Sequence, residues 1–422
     1  MIIALSLAFP KYFLSEESIE EGRNLFQIKA VGCLSFDFLI VGGGFAGAVI
    51  AERIASELDR KVLLIDRRNH IGGNAYDFHD RSGVLVHKYG PHIFHTNSAR
   101  VWEYISGFTD WIPYEHRVVA DVEGRIIPVP FNLASLHILF SEEEAAALER
   151  ILFEHYNFGD NIPVLELIRS DVPEIRKLAD YIYRTVYLGY TTKQWGMRPD
   201  ELDPSVTARV PVRLSYDDRY FQDRYQAIPK NGYTELFRRV LDSRNITVML
   251  NTEYTSIASE YEFRMTVYTG PVDEFFKYRH GKLPYRSLDF DFVHHTEDMI
   301  QPVAQINFPN GHRYTRITEF KHITSQLIGG TTVAVEYPQK HIRGKNEPYC
   351  PVPIQASGRT YEKYRREAAK LGERVIFVGR LAEYRYYNMD EMIGHALDVY
   401  SNVISPIFRR KNGMRAGSQL NP

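Results

Sequence analysis

The first spacing in the chain that could do chemistry is Gly42-x-Gly44-x-x-Gly47, with Phe45 and Ala46 inside the turn. It follows the apolar run 38–41 and precedes a helical pattern with Ala48, Ala51, Ala55 and Leu58 on one face, and Asp66 closes the next apolar run, 62–65. Each residue type has a task in that setting. Gly42 allows a tight turn, Gly44 lets backbone approach a pyrophosphate, Gly47 lets the helix approach the strand, and Asp66 accepts from ribose hydroxyls. The helix start faces the phosphates with its free N–H groups. A glycine fingerprint alone is weak, but strand, helix and acid in register point to a dinucleotide, with NAD and FAD both open on this unit. Arg67 and the pair Gly72-Gly73, followed by Asn74, extend the unit, and Gly379-Arg380 offers a second backbone approach and a guanidinium. Cys33 and Cys350 have no metal-ligand spacing, so no metal is expected, and so low a cysteine count fits a reducing cytoplasm.

These residues need elements to hold them. The runs 38–41 and 62–65 are apolar throughout, as in a parallel β-α-β unit with both faces covered. Residues 117–129 read as a hairpin turning at Glu123-Gly124, and 132–196 as a helical insert in which Ser141 and Glu144 form a capping box for 142–156. Residues 199–211, with three prolines, read as a loop of the kind that binds or covers ligands. Runs at 246–250, 265–268, 303–308, 312–317 and 331–336 are consistent with an antiparallel sheet, and 374–378 and 390–404 read as a last strand and helix of the opening domain. A chain of 422 residues holds two or three domains at roughly 150 residues each. Lys plus Arg total 51 against 53 Asp plus Glu, which leaves no electrostatic footprint for nucleic acid or anionic lipid. Any anion must be met by a few placed arginines. No apolar stretch reaches the ~18 residues of a membrane helix, and residues 1–10 lack the basic start and cleavage site of a secretory signal. Residues 1–35 read either as an extension outside the fold or as a short helix docked on its surface, which the sequence does not separate.

The glycine pair after Asp66 resembles the continuation found in flavoproteins related to amine oxidases, which favours FAD over NAD. Longer segments resemble bacterial UDP-galactopyranose mutase: Tyr89-Gly90-Pro91-His92-Ile93-Phe94-His95-Thr96, 128–132, Thr191-Thr192-Lys193-Gln194-Trp195-Gly196, Arg209-Val210-Pro211-Val212-Arg213, 268–276, 314–322 and 379–390. They run in family order over most of the chain. The resemblance implies interconversion of UDP-galactopyranose and UDP-galactofuranose, in which N5 of reduced FAD attacks galactose C1, UDP leaves, and no net redox change occurs. It implies that Arg209 and Arg316 bind the leaving diphosphate, a task suited to the guanidinium fork. Trp195 beside Tyr190 would stack on uracil with Phe131 and Asn132 near it, and Tyr220, Tyr349 and Tyr386 would line the phosphates. His92 or His95, which the sequence does not separate, would adjust hydrogen bonding at N5. The cofactor would be held by Gly42, Gly44, Phe45, Ala46, Gly47, Asp66, Arg67, Gly73, Asn74, His92, Gly379, Arg380 and Met389, the last opening a helix whose N-terminus favours an anionic flavin. Asn388 stands where the family often has an acid, so no role is carried over to it.

The implied fold is α/β: a Rossmann-like FAD-binding domain (36–115, 226–265, 366–410), a helical domain (134–200) and an antiparallel sheet domain (116–133, 201–225, 266–365), with a tail at 411–422. Implied partners are the two UDP-sugars, a reductant, and a second copy in a homodimer or larger homo-oligomer, in the cytoplasm, with no nucleic acid and no membrane insertion. The alternative is an amine-oxidase-like FAD oxidoreductase, whose neutral amine substrate would give a diphosphate clamp nothing to bind. A noncatalytic UDP-sugar binder fits least, because the flavin segments are intact.

Overall fold

A computed structural model describes residues 35–203 and 211–409. The two apolar runs form adjacent parallel strands, Phe38–Val41 and Val62–Ile65, joined by the helix Phe45–Glu57. Every residue of the two strands except Val41 is buried, which is why neither alternates. The sheet has five parallel strands in the order Ile246–Met249, Val62–Ile65, Phe38–Val41, Met265–Tyr268, Val375–Phe377. Strands are added outward on both sides of Phe38–Val41, so Gly42 stands at the switch point where open parallel sheets bind ligands. The helix Met389–Val399 packs against Phe45–Glu57, and Ala48 and Ala51, both fully buried, permit close packing in the same core.

Two expectations need correction here. The runs at 246–250 and 265–268 were grouped with an antiparallel sheet, and both belong to the parallel one. All four residues of Met265–Tyr268 are buried, the mark of a strand covered on both faces. The domain boundary drawn at 265/266 therefore cuts through a strand and moves beyond Tyr268.

The large second sheet has seven strands in the order Cys350–Pro351, Tyr285–His295, Thr331–Lys340, Arg316–Glu319, Gln305–Asn307, Val118–Val122, Arg125–Val129. All pairs are antiparallel except Gln305–Asn307 with Val118–Val122. The hairpin turns at Glu123-Gly124 with φ of 54° and 77°, as a tight two-residue connection requires. Between the sheets in sequence lies the helical insert, with Leu133–Leu139, Glu142–His155, Pro173–Ile182 and Gly189–Trp195 around a core that includes Leu136, Leu152, Ile175 and Leu178. The Ser141–Glu144 capping box is formed. A π-helical stretch, Tyr183–Leu188, leads into Gly189–Trp195, and such irregular turns concentrate at functional sites. No helix among the described residues is long and apolar enough to cross a membrane.

Candidate active site

At the switch point three backbone surfaces meet too closely for side chains. Gly42 has φ 105°, and a Cβ there would lie 2.1 Å from Thr269 Oγ1. A Cβ on Gly47 would lie 2.0 Å from the Gly42 carbonyl oxygen, and one on Gly73 would lie 2.9 Å from Gly44 Cα. Asp66 is buried and holds the turn by accepting from Gly43 N–H at 2.8 Å and Arg68 N–H at 2.9 Å. This wall faces a cavity of about 950 Å³, at the upper end of the range for ligand pockets. Every residue nominated from the sequence for the cofactor lines it except Gly47, which lies beneath, where helix meets strand. This glycine cradle, beside Gly379 at φ 112° and Arg380, fits a dinucleotide. Arg67 points its guanidinium to Glu347 at 2.7 Å, and Arg68 joins the same carboxylate and Asn74 Oδ1.

The structure separates the two histidines. His92 lines the cavity, its Nδ1 is 2.8 Å from the Gly90 carbonyl, and its backbone N–H donates to His87 Nδ1 at 3.0 Å. Burial pushes its pKa down to about 3, so the ring is neutral, and we assign the proton to Nδ1. His95 is not a lining residue: it stacks on Phe221 with ring centroids 3.7 Å apart and lies 2.9 Å from Asp223 Oδ2.

A smaller pocket of about 100 Å³ lies between the helical insert and the large sheet, lined by Tyr190, Trp195, Tyr220, Arg316, Gln305 and Asn307 among others. Arg316 begins its strand with Nε 3.0 Å from Glu336 Oε2, and Glu336, 1% exposed, also accepts from Thr315 Oγ1 at 3.1 Å. Burial is the largest single influence and opposes the charge on Arg316, but Glu336 together with Tyr190 and Tyr349 holds the guanidinium above its ordinary pKa. The same charge acts on Tyr190 in the small pocket and on Tyr349 and His92 in the large cavity. Arg316 itself lines the small pocket. Its partner Glu336 lies against Gly90, where a Cβ would lie 3.5 Å from Glu336 Oε2, and the Gly90 carbonyl meets His92 of the large cavity, so the two spaces approach each other at this pair. Arg380 sits over the rings of Tyr386 at 4.6 Å and Tyr349 at 5.8 Å, and donates to the Tyr387 carbonyl at 2.6 Å.

Besides His95 and Gly47, three residues nominated for the substrate line neither space. Asn132, 1% exposed, is the N-cap of Leu133–Leu139, accepting from Ser135 N–H at 3.0 Å and donating to the Asp217 carbonyl at 3.3 Å. Phe131 is buried in the helical core, and Tyr386 lies against Arg380 rather than in the lining. The Asn-x-x-Ser capping pattern at 132–135 was visible in the sequence and explains Asn132. Arg209 lies outside the described residues. Glu336, Gln305, Asn307 and Thr269 were missed, because each enters the site by strand pairing that leaves no local signature.

A family model described as UDP-galactopyranose mutase matches residues 185–386, and one described as an NAD(P)-binding Rossmann-like domain matches residues 40–108. Among curated proteins, a probable UDP-galactopyranose mutase from Klebsiella pneumoniae is 37% identical over 88% of this chain and 95% of its own. A dTDP-fucopyranose mutase from Escherichia coli is 34% identical over 85% and 96% respectively. The UDP-galactopyranose mutase of Mycoplasma genitalium is 33% identical over 85% of this chain and 92% of its own. Among solved structures, a reduced UDP-galactopyranose mutase superposes with TM-score 0.70 at 15% identity, covering 88% of this chain and 94% of that one. A redesigned putrescine oxidase superposes with TM-score 0.55 at 10% identity over 88% and 99%. The two structural likenesses bear on the fold alone.

Proposed function

The chain belongs to the UDP-galactopyranose mutase family, an isomerase family, and from that premise we propose that it interconverts UDP-galactopyranose and UDP-galactofuranose on reduced FAD. The observation that carries this reading is the position of Arg316, whose charge reaches both the glycine-walled cavity and the pocket holding Trp195. A sugar nucleotide spanning the two spaces would place its diphosphate at that guanidinium.

Gly42, Gly44 and Gly73 let the FAD pyrophosphate approach the backbone, and Asp66 keeps lone pairs for the ribose beyond its two N–H bonds. Gly379, Arg380 and the start of Met389–Val399 line the same cavity and would hold the flavin when it is bound. Reduced FAD, when bound, supplies N5 as the nucleophile for the anomeric carbon. The chain's own residues handle the leaving group and the water. Arg316, joined by Arg209, neutralises charge that grows on UDP as the C1–oxygen bond breaks, worth about 1.5–3 kcal/mol per charge-assisted contact. Glu336 keeps Arg316 in one rotamer. Tyr349 and Tyr220, which line the two spaces, would donate hydrogen bonds to phosphate oxygens, while Tyr386 backs Arg380; burial pushes the Tyr349 phenol up, so it stays protonated. Trp195 and Tyr190 cover the uracil and exclude water. Phe131 and Asn132 lie just beyond Val129, which ends its strand and lines this pocket, and stay outside the lining. Neutral His92, which lines the cavity, would offer Nε2 as an acceptor to a bound flavin, while His95 steadies the neighbouring strand through Phe221 and Asp223. The reductant, homodimer and cytoplasmic setting implied by the resemblance belong to the same proposal.

The test is to identify the cofactor released on denaturation and to incubate reduced protein with UDP-galactofuranose and, separately, dTDP-fucofuranose. FAD and rapid equilibration of the UDP-sugar are expected. Preference for the dTDP-sugar would reassign the substrate, and amine-dependent oxygen consumption without either isomerisation would favour the oxidoreductase.

A further inference from the structure

We propose that Lys193 is a positioning residue that clasps the turn at 308–314 to the Gly189–Trp195 helix and so fixes the distance between Trp195 and Arg316. The inference rests on the function proposed above.

Lys193 Nζ donates to three backbone carbonyls of one turn: Phe308, His312 at 3.1 Å and Tyr314 at 3.0 Å. An ammonium has three protons, so its donors are fully used. Among the described residues no carboxylate pairs with it, and burial depresses its pKa to about 8. The turn connects Gln305–Asn307 with Arg316–Glu319 and closes with Phe308 N–H donating to the Thr315 carbonyl at 2.9 Å. One foot of the turn thus carries Asn307 and the other Arg316, both lining the pocket that contains Trp195. Trp195 lies two residues after Lys193 on the helix that Lys193 ties down.

Other contacts hold the same two elements together. Asn310 Nδ2 donates to the Thr185 carbonyl at 2.8 Å, satisfying an acceptor in the π-helical stretch. A Cβ on Gly189 would lie 2.5 Å from both the Pro309 carbonyl and Asn310 Oδ1, so only glycine lets the helix start rest on the turn. From the other side, Arg286 donates to the carbonyls of Gln194 at 2.9 Å and Lys193 at 3.4 Å, closing the helix C-terminus. Gly196, at φ 66°, leaves room for that guanidinium, which a Cβ would approach to 2.9 Å.

An aliphatic side chain of the same length would fill this space without the cost of a desolvated cation. What the cation adds is direction: three converging carbonyls specify where the turn sits against the helix. The base subsite and the diphosphate subsite lie on opposite sides of that joint, so its stiffness governs how well one nucleotide satisfies both.

The test compares full-length, FAD-loaded wild type, Lys193→Met and Asn310→Ala by isothermal titration with UDP and by steady-state kinetics. K193M is expected to raise the Kd for UDP and the KM about tenfold while kcat changes less than about threefold. N310A, a surface change, should move the same constants in the same direction by about threefold. Amide exchange should lose protection in K193M at 308–315 and 189–195 together. Unaltered UDP affinity in K193M, or in N310A if K193M does not fold, overturns the clasp, as does a loss confined to kcat. Wild-type protein that did not bind UDP would overturn the function itself and the clasp with it. Wild type that binds beside an unaltered K193M overturns the clasp alone.

Discussion

Arg316 and Glu336 form the most demanding pair in the site, because Glu336 is drawn out of water and the half-buried Arg316 is its counter-ion. Arg316→Ala should cut kcat/KM by about 10- to 150-fold, the loss of one charge-assisted contact in the transition state, with flavin still bound. It should also lower the melting temperature, since Glu336 loses its counter-ion. Adding Glu336→Gln should recover the melting temperature and leave turnover low, which separates the two effects. For the histidines, His92→Ala should shift the flavin absorbance and midpoint potential. His95→Ala should lower only the melting temperature, because it loses its Phe221 stack and Asp223 contact; a flavin spectrum altered by the His95 change alone would reverse the assignment. At this scale short motifs nominated the glycines, Asp66, Arg316 and Trp195, and the fold places them in or beside the two spaces. The sequence did not disclose Glu336, which reaches Arg316 only because residues 316 and 336 pair across adjacent strands. It misplaced Asn132, where a helix cap and a ligand contact call for the same residue type.

The opening strand–turn–helix works because helix and turn touch backbone to backbone. Gly47→Ala would set a methyl group 2.0 Å from the Gly42 carbonyl, which no rotamer relieves. The variant should lose most of its flavin, read as the ratio of flavin to protein absorbance, and lose stability on the scale of an overpacked core, about 1–3 kcal/mol; full flavin retention would refute the close-contact role. This unit was legible because its spacing, apolar runs and acid all point to one arrangement. The strand Tyr285–His295 was not. From Leu288 onward it is largely exposed and carries Asp289 and Asp291, and it is held by its ladder with Thr331–Lys340 rather than by a buried face. Likewise Met265–Tyr268 is too short for its period to distinguish parallel from antiparallel pairing. Partner identity, which only the folded chain supplies, decided it.

Across the whole molecule, buried histidines set the response to acid. Burial lowers the pKa of His70 to about 4 and of His87, His92 and His116 to about 3, and lowers that of His341. In the unfolded chain each titrates near 6.5. Below that pH the unfolded state binds protons that the native state refuses, so stability falls as pH falls, by up to ~1.4 kcal/mol per pH unit for each fully buried ring. His137 and His395, raised by Glu149 and Glu383, act in the opposite sense, but they are partly exposed and fewer. Melting temperature should therefore decline steadily from pH 7 to pH 5, and a flat or rising profile would show that these rings are hydrated. The central claim concerns the junction of the two spaces at Arg316: a flavin in one must meet a sugar nucleotide from the other while carrying electrons it does not give away. It is tested most directly by incubating UDP-galactofuranose anaerobically with the protein, with and without dithionite, and separating the sugar nucleotides by chromatography. UDP-galactopyranose should form only with reduced flavin, over many turnovers per reducing equivalent. Equal conversion by oxidised protein, or one turnover per reduction, would contradict it.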